Sequence, residues 1–229
     1  MRFMHTTCNA DMTKKAYKLG SLDSCAISDA MDRLGISGTA RDLRPLTADI
    51  RIWGRCVTVQ LAPVQGTGSK RHLCTTAIDA SGAGDVIVVA HDGRLDVAGW
   101  GGLLSLSAKL RNIEGAIVDG ACRDIDESRE LIFPIYARSA IPTTARSRIM
   151  EKAWNVDVVI SGVPVKPGDF VIADGSGVIF IPEARIEEVL AVAERIAGRE
   201  RLMATDLRAG KPVSEVMGID YERMLADGQ

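Results

Sequence analysis

Gly115-Ala116-Ile117-Val118-Asp119-Gly120-Ala121-Cys122-Arg123-Asp124 is the stretch on which the fold turns. Gly115 to Gly120 is an apolar run interrupted by one acid, the pattern of a strand covered on both faces. A helix over 124–131 is predicted directly after it. Upstream, Val86-Ile87-Val88-Val89 is a second such run, entered through the turn Gly84-Asp85 and closed by Asp92-Gly93. Between the two runs, Leu103 to Arg111 reads as a helix entered through Gly99-Trp100-Gly101-Gly102.

Further out, Ser24 to Leu34 places Ile27, Met31 and Leu34 at helical spacing, and Gly35 ends that helix. Ile52 to Leu61 is β-branched and alternating, and Lys70 to Ala80 has helical composition. The second half is richer in strands: Ile135 to Arg138, Val156 to Ser161, Phe170 to Asp174 and Val178 to Ile181. Pro167-Gly168-Asp169 and Asp174-Gly175 are turn signals between them. Glu183 to Ala209 is a long amphipathic helix opened by Pro182 and stopped by Gly210, and a short helix is expected over Val213 to Leu225. Strand–helix alternation that gives way to consecutive strands predicts one α/β domain over 1–229 with layered, mixed sheets. From about residue 183 it carries a C-terminal helical extension, which could reach a neighbouring subunit.

Composition narrows the function. The 229 residues include only 4% aromatics, so Val, Ile, Leu and Ala must do the packing. A net charge of −2 gives no pull toward nucleic acid or anionic membrane, and neither partner is expected. No apolar run is long enough to span a bilayer, and the N-terminus lacks the apolar stretch of a secretion signal. Cys8, Cys25, Cys56, Cys74 and Cys122 are scattered and odd in number, which suits reduced thiols in the cytoplasm.

Several motifs carry little. Gly66-Thr67-Gly68-Ser69-Lys70 has the wrong spacing for a phosphate loop, and Gly82-x-Gly84 lacks the third glycine of a dinucleotide site. His5, His72 and His91 show no ligand spacing and read as surface or loop residues. No lysine sits in an apolar strand as a Schiff-base lysine would. The informative segment is Gly99 to Glu127, with two strand-to-helix junctions. At the first, bare glycines bring free backbone N–H groups to a helix start, where a carboxylate can be held. At the second, Arg123 can grip an oxyanion and Asp124 can offer oxygen to a hard cation. The alternative for this pair is a solvated arginine beside an aspartate that caps its own helix.

Gly101-Gly102-Leu103-Leu104 followed by Arg123-Asp124, with Gly115-Ala-Ile-Val-Asp-Gly120 between them, resembles the 4-hydroxy-4-methyl-2-oxoglutarate / 4-carboxy-4-hydroxy-2-oxoadipate aldolases. Their superfamily includes RraA-type regulators of ribonuclease activity and proteins once labelled demethylmenaquinone methyltransferases. The resemblance extends to the Ser24–Asp32 helix, the Gly84–Val89 strand and the Pro167-Gly168-Asp169 turn. It implies an α-β-β-α sandwich of the swivelling β/β/α type, assembled as trimers or hexamers. It also implies that the Gly101–Leu104 backbone binds a pyruvyl carboxylate, that Arg123 contacts the pyruvyl oxygen, and that Asp124 ligates Mg²⁺ or Mn²⁺, partly through water. An acid from an adjacent subunit belongs near that metal, and Glu200 in Gly198-Arg199-Glu200 is the candidate.

The activity so implied is metal-dependent cleavage of 4-hydroxy-2-oxo acids to pyruvate, with oxaloacetate decarboxylation as a companion. Two alternatives stand beside it: a lyase or decarboxylase for another keto acid, and a protein-binding regulator of the RraA type. The long C-terminal region favours an enzyme over the shorter regulators. One departure matters. The aldolases carry an acid at the second position of the Gly-x-Leu-Leu segment, and here it is Gly102. Asp96 and Asp119 are the candidates to replace its part in proton transfer. Without a replacement, decarboxylation should exceed aldol cleavage, and Gly102→Asp should favour the latter.

Overall fold

The two apolar runs are adjacent parallel strands in the computed structural model, which describes residues 15–65 and 71–218. They lie within a nine-stranded mixed sheet. Its order is β1 (Thr39–Ala40), β11 (Gly177–Ile181), β10 (Phe170–Asp174), β3 (Ile52–Pro63), β4 (Asp85–Ala98), β5 (Gly115–Cys122), β6 (Ile135–Ala140) and β2 (Arg44–Pro45). β7 (Ile149–Trp154) pairs with β3, while β8 (Val158–Ile160) and β9 (Val163–Val165) form a separate hairpin. β3 to β6 run parallel, and β10 and β11 continue the sheet antiparallel.

Alternation along the strands explains the layers. Val57, Val59, Ile87, Val89, Ala116 and Val118 share a core with residues of α2 (Thr75–Ala80) and α3 (Gly102–Leu110). Their sequence neighbours Cys56, Val86, Val88 and Ile117 belong to a second core with Val171, Ala173, Val178 and Phe180. Phe170, Ile172, Ile179 and Ile181 join a third core with α1 (Ser24–Arg33) and α5 (Ile186–Arg208). Because successive side chains point to opposite faces, one bent sheet can separate three cores. The result is the α-β-β-α layering that the family resemblance implies. α1 is capped by Asp23, which accepts from the Ala26 N–H at 2.8 Å, and Gly35 leaves it at φ +65°. α5 buries Ile186, Val189, Leu190, Ala193 and Ile196 and leaves Leu202 and Leu207 exposed.

Some boundaries differ, each for a local reason. Asp92-Gly93 bends β4 without closing it: both have positive φ (53° and 67°), and β4 resumes pairing with β5 after a register shift. His91, expected at the surface, is buried beside this bend, with Nε2 2.9 Å from the Val97 carbonyl. Burial pushes its pKa below the ordinary imidazole value. The helix predicted over Lys70 to Ala80 begins only at Thr75, after Cys74 at φ +65°. The Val156–Ser161 strand is Val158–Ile160, and β7 and β9 were not predicted. The long helix starts with a 3₁₀ turn, Glu183–Arg185, and the last helix is Val213–Val216. The Gly66–Lys70 loop, His5, Cys8 and residues 219–225 of the last expected helix lie outside the described residues. Cys25, Cys56, Cys74 and Cys122 are free thiols.

An ion pair between a buried acid and a half-buried arginine braces the centre. Arg138 on β6 donates from Nε to Asp119 on β5 at 2.6 Å, and the Ser161 N–H donates to the other Asp119 oxygen at 2.7 Å. Removing one partner of such a pair leaves an uncompensated buried charge, at about 3–5 kcal/mol. Arg138→Met should therefore lower unfolding free energy by about that amount in denaturant titrations. A loss below about 1 kcal/mol would contradict this account of Asp119.

Candidate active site

Two strand-to-helix junctions meet at the C-terminal ends of β4 and β5, where ligand sites of α/β sheets collect. Backbone bonds join them: the Gly99 N–H donates to the Ala121 carbonyl at 2.8 Å and the Arg123 N–H to the Trp100 carbonyl at 3.0 Å. A buried chain of side chains adds to this. Trp100 Nε1–H donates to Ser105 Oγ (2.9 Å), Ser105 Oγ lies 2.9 Å from Ser128 Oγ, and Ser128 Oγ donates to the Asp124 carbonyl (3.2 Å). The start of α3 is thereby held against the start of α4 (Ile125–Glu130).

Asp124 precedes α4 in the left-handed region (φ 55°, ψ 42°) and makes no side-chain cap. The capping alternative is therefore overturned. Its carboxylate instead accepts the Gly102 N–H at 3.0 Å through Oδ2 and Arg123 Nε at 3.1 Å through Oδ1. A non-glycine residue held at positive φ costs about 1–3 kcal/mol and is common where function demands it. The two terminal nitrogens of Arg123 have no hydrogen-bond acceptor among the described residues and can serve a ligand. The four backbone groups at the start of α3 are not equivalent. The Gly102 N–H serves Asp124 and the Leu104 N–H serves the Gly101 carbonyl at 3.1 Å. Those of Gly101 and Leu103 have no protein acceptor among the described residues and remain for a carboxylate.

A side chain at either of these glycines would meet the side chains of the second junction. A Cβ at Gly101 would lie 2.8 Å from Asp124 Oδ2 and 3.0 Å from Arg123 Cγ. A Cβ at Gly102 would run into the carboxylate of Glu127, from the first turn of α4. Glu127 thus fills the space at the position where the aldolases carry an acid. The sequence reading missed it, although Asp124 and Glu127 are three apart at a helix start and so share a face. The two replacements named from sequence are engaged elsewhere and do not line the site. Both oxygens of buried Asp119 are taken by Arg138 and the Ser161 N–H, and Asp96 is bound by Arg94 at 2.7 Å.

Trp100, Gly101 to Leu104, Arg123 and Asp124 line a cavity of about 230 Å³, together with His72, Leu73, Ala98 and residues Thr144 to Arg146. That is small against typical ligand pockets of about 300–1,000 Å³, and it suits a short-chain acid better than a nucleotide.

The sequence profile of the aldolase/RraA family, RraA-like, matches residues 24–180, which include every residue of this site. The chain belongs to the aldolase/RraA family. A Halalkalibacterium halodurans protein with a provisional 4-hydroxy-4-methyl-2-oxoglutarate aldolase name is 34% identical over 203 residues, covering 86% of this chain and 92% of that one. Thermus thermophilus 4-hydroxy-4-methyl-2-oxoglutarate aldolase is 35% identical over 113 residues, 48% of this chain and 67% of its own. Legionella pneumophila protein DlpA is 31% identical over 198 residues, and the chain spans only 32% of its length. Among solved structures, a Pseudomonas syringae protein superposes with a TM-score of 0.81 at 29% identity, covering 90% of this chain and 98% of that one. Streptomyces coelicolor RraAS2, an unusual member of the RNase ES inhibitor RraA protein family, gives 0.73 at 25% identity, covering 82% of this chain and 94% of that one.

Within this family frame, the residues can be tested against a divalent cation. No cluster of three or more His, Cys, Asp or Glu side chains is placed to hold a metal among the described residues. A magnesium-like ion does not need one, because it keeps several waters and takes one or two carboxylates. Each Asp124 oxygen accepts one hydrogen bond and has a lone pair to spare. Asp124 therefore fits, with Glu127 as the second carboxylate nearby. Glu200 does not join them within one chain. It is exposed on α5, which packs on the α1 layer, and its pKa is raised by desolvation and by Asp23 and Asp29. No helix among the described residues is long and apolar enough to cross a membrane.

Proposed function

We propose that this chain is a divalent-metal-dependent lyase that cleaves 4-hydroxy-2-oxo acids to pyruvate and a second carbonyl compound, and that it also decarboxylates oxaloacetate. The observation that carries the reading is the Asp124 carboxylate, turned away from its own helix to face Arg123 and the Gly102 N–H at the cavity. When bound at Asp124, Mg²⁺ or Mn²⁺ supplies Lewis-acid withdrawal of electrons from the 2-oxo group. The free N–H groups of Gly101 and Leu103, at the positive end of α3, bind the substrate carboxylate. Arg123 stabilises the charge that grows on the enolate oxygen as the C3–C4 bond breaks. Glu127 removes the 4-hydroxyl proton, so that C4 becomes a carbonyl and the bonding electrons pass to the pyruvate enolate. Decarboxylation gives the same enolate by losing CO₂ and needs no base.

The regulator reading draws support from the RraAS2 likeness. Pyruvate release from oxaloacetate, with and without EDTA, separates the two. A lyase gives Mg²⁺-dependent release that EDTA stops, whereas a pure binder gives none above the spontaneous rate.

The site is also expected to lie beside a subunit contact. Leu103 (81% exposed), which lines the cavity, and Leu110 (74%), seven residues on along the same helix, are apolar side chains that such a contact would cover. A trimer, or a multiple of one, is the predicted assembly by light scattering, with Glu200 supplied across the interface. A stable monomer with full activity would refute both.

A further inference from the structure

We propose that Arg146 is a specificity-determining residue that binds the second carboxylate of a 2-oxo diacid, on the fragment released beside pyruvate; this rests on the lyase reading above. Arg146 lines the same cavity as Arg123 but comes from a different segment. That segment, 141–148, is held by the strands that carry the site. The Ile141 N–H donates to the Cys122 carbonyl at 2.8 Å, and the Ala98 N–H donates to the Thr143 carbonyl at 3.0 Å. Cys122 immediately precedes Arg123, and Ala98 immediately precedes the Gly99 junction. Arg148 braces the turn by donating to the Thr144 carbonyl at 3.3 Å, and its own carbonyl accepts the Val64 N–H at 3.0 Å. The backbone thus fixes Arg146 relative to Arg123.

The Arg146 guanidinium has no carboxylate or carbonyl partner among the described residues, whereas Arg55, Arg123 and Arg138 are each ion-paired. A planar guanidinium with its donors free matches a carboxylate in charge and geometry. With the first carboxylate of the substrate held at the start of α3, a five-carbon diacid can present its second carboxylate elsewhere in the cavity. A monoacid of the same length offers an apolar end there instead.

The test is calorimetric binding in Mg²⁺ of 2-oxoglutarate and of 2-oxopentanoate, which has the same chain and a single carboxylate. The wild type should bind 2-oxoglutarate about 10- to 100-fold more tightly, the range for a hydrogen bond between charged groups. In R146Q that preference should disappear with 2-oxopentanoate binding unchanged, and R146K should fall between. A wild type without the preference, an R146Q protein that keeps it, or equal weakening of both ligands would each overturn the proposal. Failure of the lyase reading looks different: the binding preference stands, but 4-hydroxy-2-oxoglutarate is not cleaved.

Discussion

Asp124→Ala should lower metal-dependent turnover of oxaloacetate and of a 4-hydroxy-2-oxo acid by about 10³-fold or more. A metal's Lewis-acid contribution is several kcal/mol, and each 1.36 kcal/mol is tenfold in rate. The fold should survive. The Asp124 side chain is 28% exposed and does not cap α4, and a partly exposed pair with Arg123 adds little stability. Two readouts are needed: kcat/KM at saturating Mg²⁺, and Mn²⁺ binding by calorimetry. Both should collapse while the thermal midpoint stays within a few degrees. Retained Mg²⁺-dependent activity in the variant would remove Asp124 from the site.

Glu127→Gln should separate the two reactions. Loss of a positioned acid–base group costs about 10²–10⁴-fold. Aldol cleavage should fall by that factor, and oxaloacetate decarboxylation by less than about tenfold, since it needs no base at the hydroxyl. Gly102 sharpens the test. A side chain at 102 meets the Glu127 carboxylate, which is the movable end of a long side chain. Gly102→Asp should therefore displace Glu127 and add little by itself, because the gain expected from sequence applies only where no other carboxylate fills the gap. In a Glu127→Gln background, the same aspartate should restore much of the lost aldol cleavage. If Glu127→Gln leaves cleavage intact, the proton goes to another group.

Much of this fold was legible because its signals are local. The runs at Val86–Val89 and Gly115–Gly120 read as covered strands, and Phe170–Asp174 was bounded correctly by its turn residues. What sequence missed depends on tertiary contacts. Asp92-Gly93 reads as a stop, but buried His91 and pairing with β5 carry β4 onward. β7, Ile149–Trp154, has only Ile149 buried and lacks clean alternation, and Pro164 obscures β9. In the site, Arg123, Asp124 and the glycines stand out because they sit where apolar strands end. Glu127 looks like any acid in a helix's first turn until Gly102 is found beneath it. Arg146 lies in an irregular segment where sequence alone gives no reason to prefer it to Arg148.

The most direct test of the central claim is cleavage of 4-hydroxy-2-oxoglutarate by metal-stripped protein before and after Mg²⁺ or Mn²⁺ is restored, with pyruvate and glyoxylate both quantified. The account predicts equimolar products that form only with the cation present and stop again on chelation. Absence of both products under every metal condition, or cleavage indifferent to chelation, would contradict it.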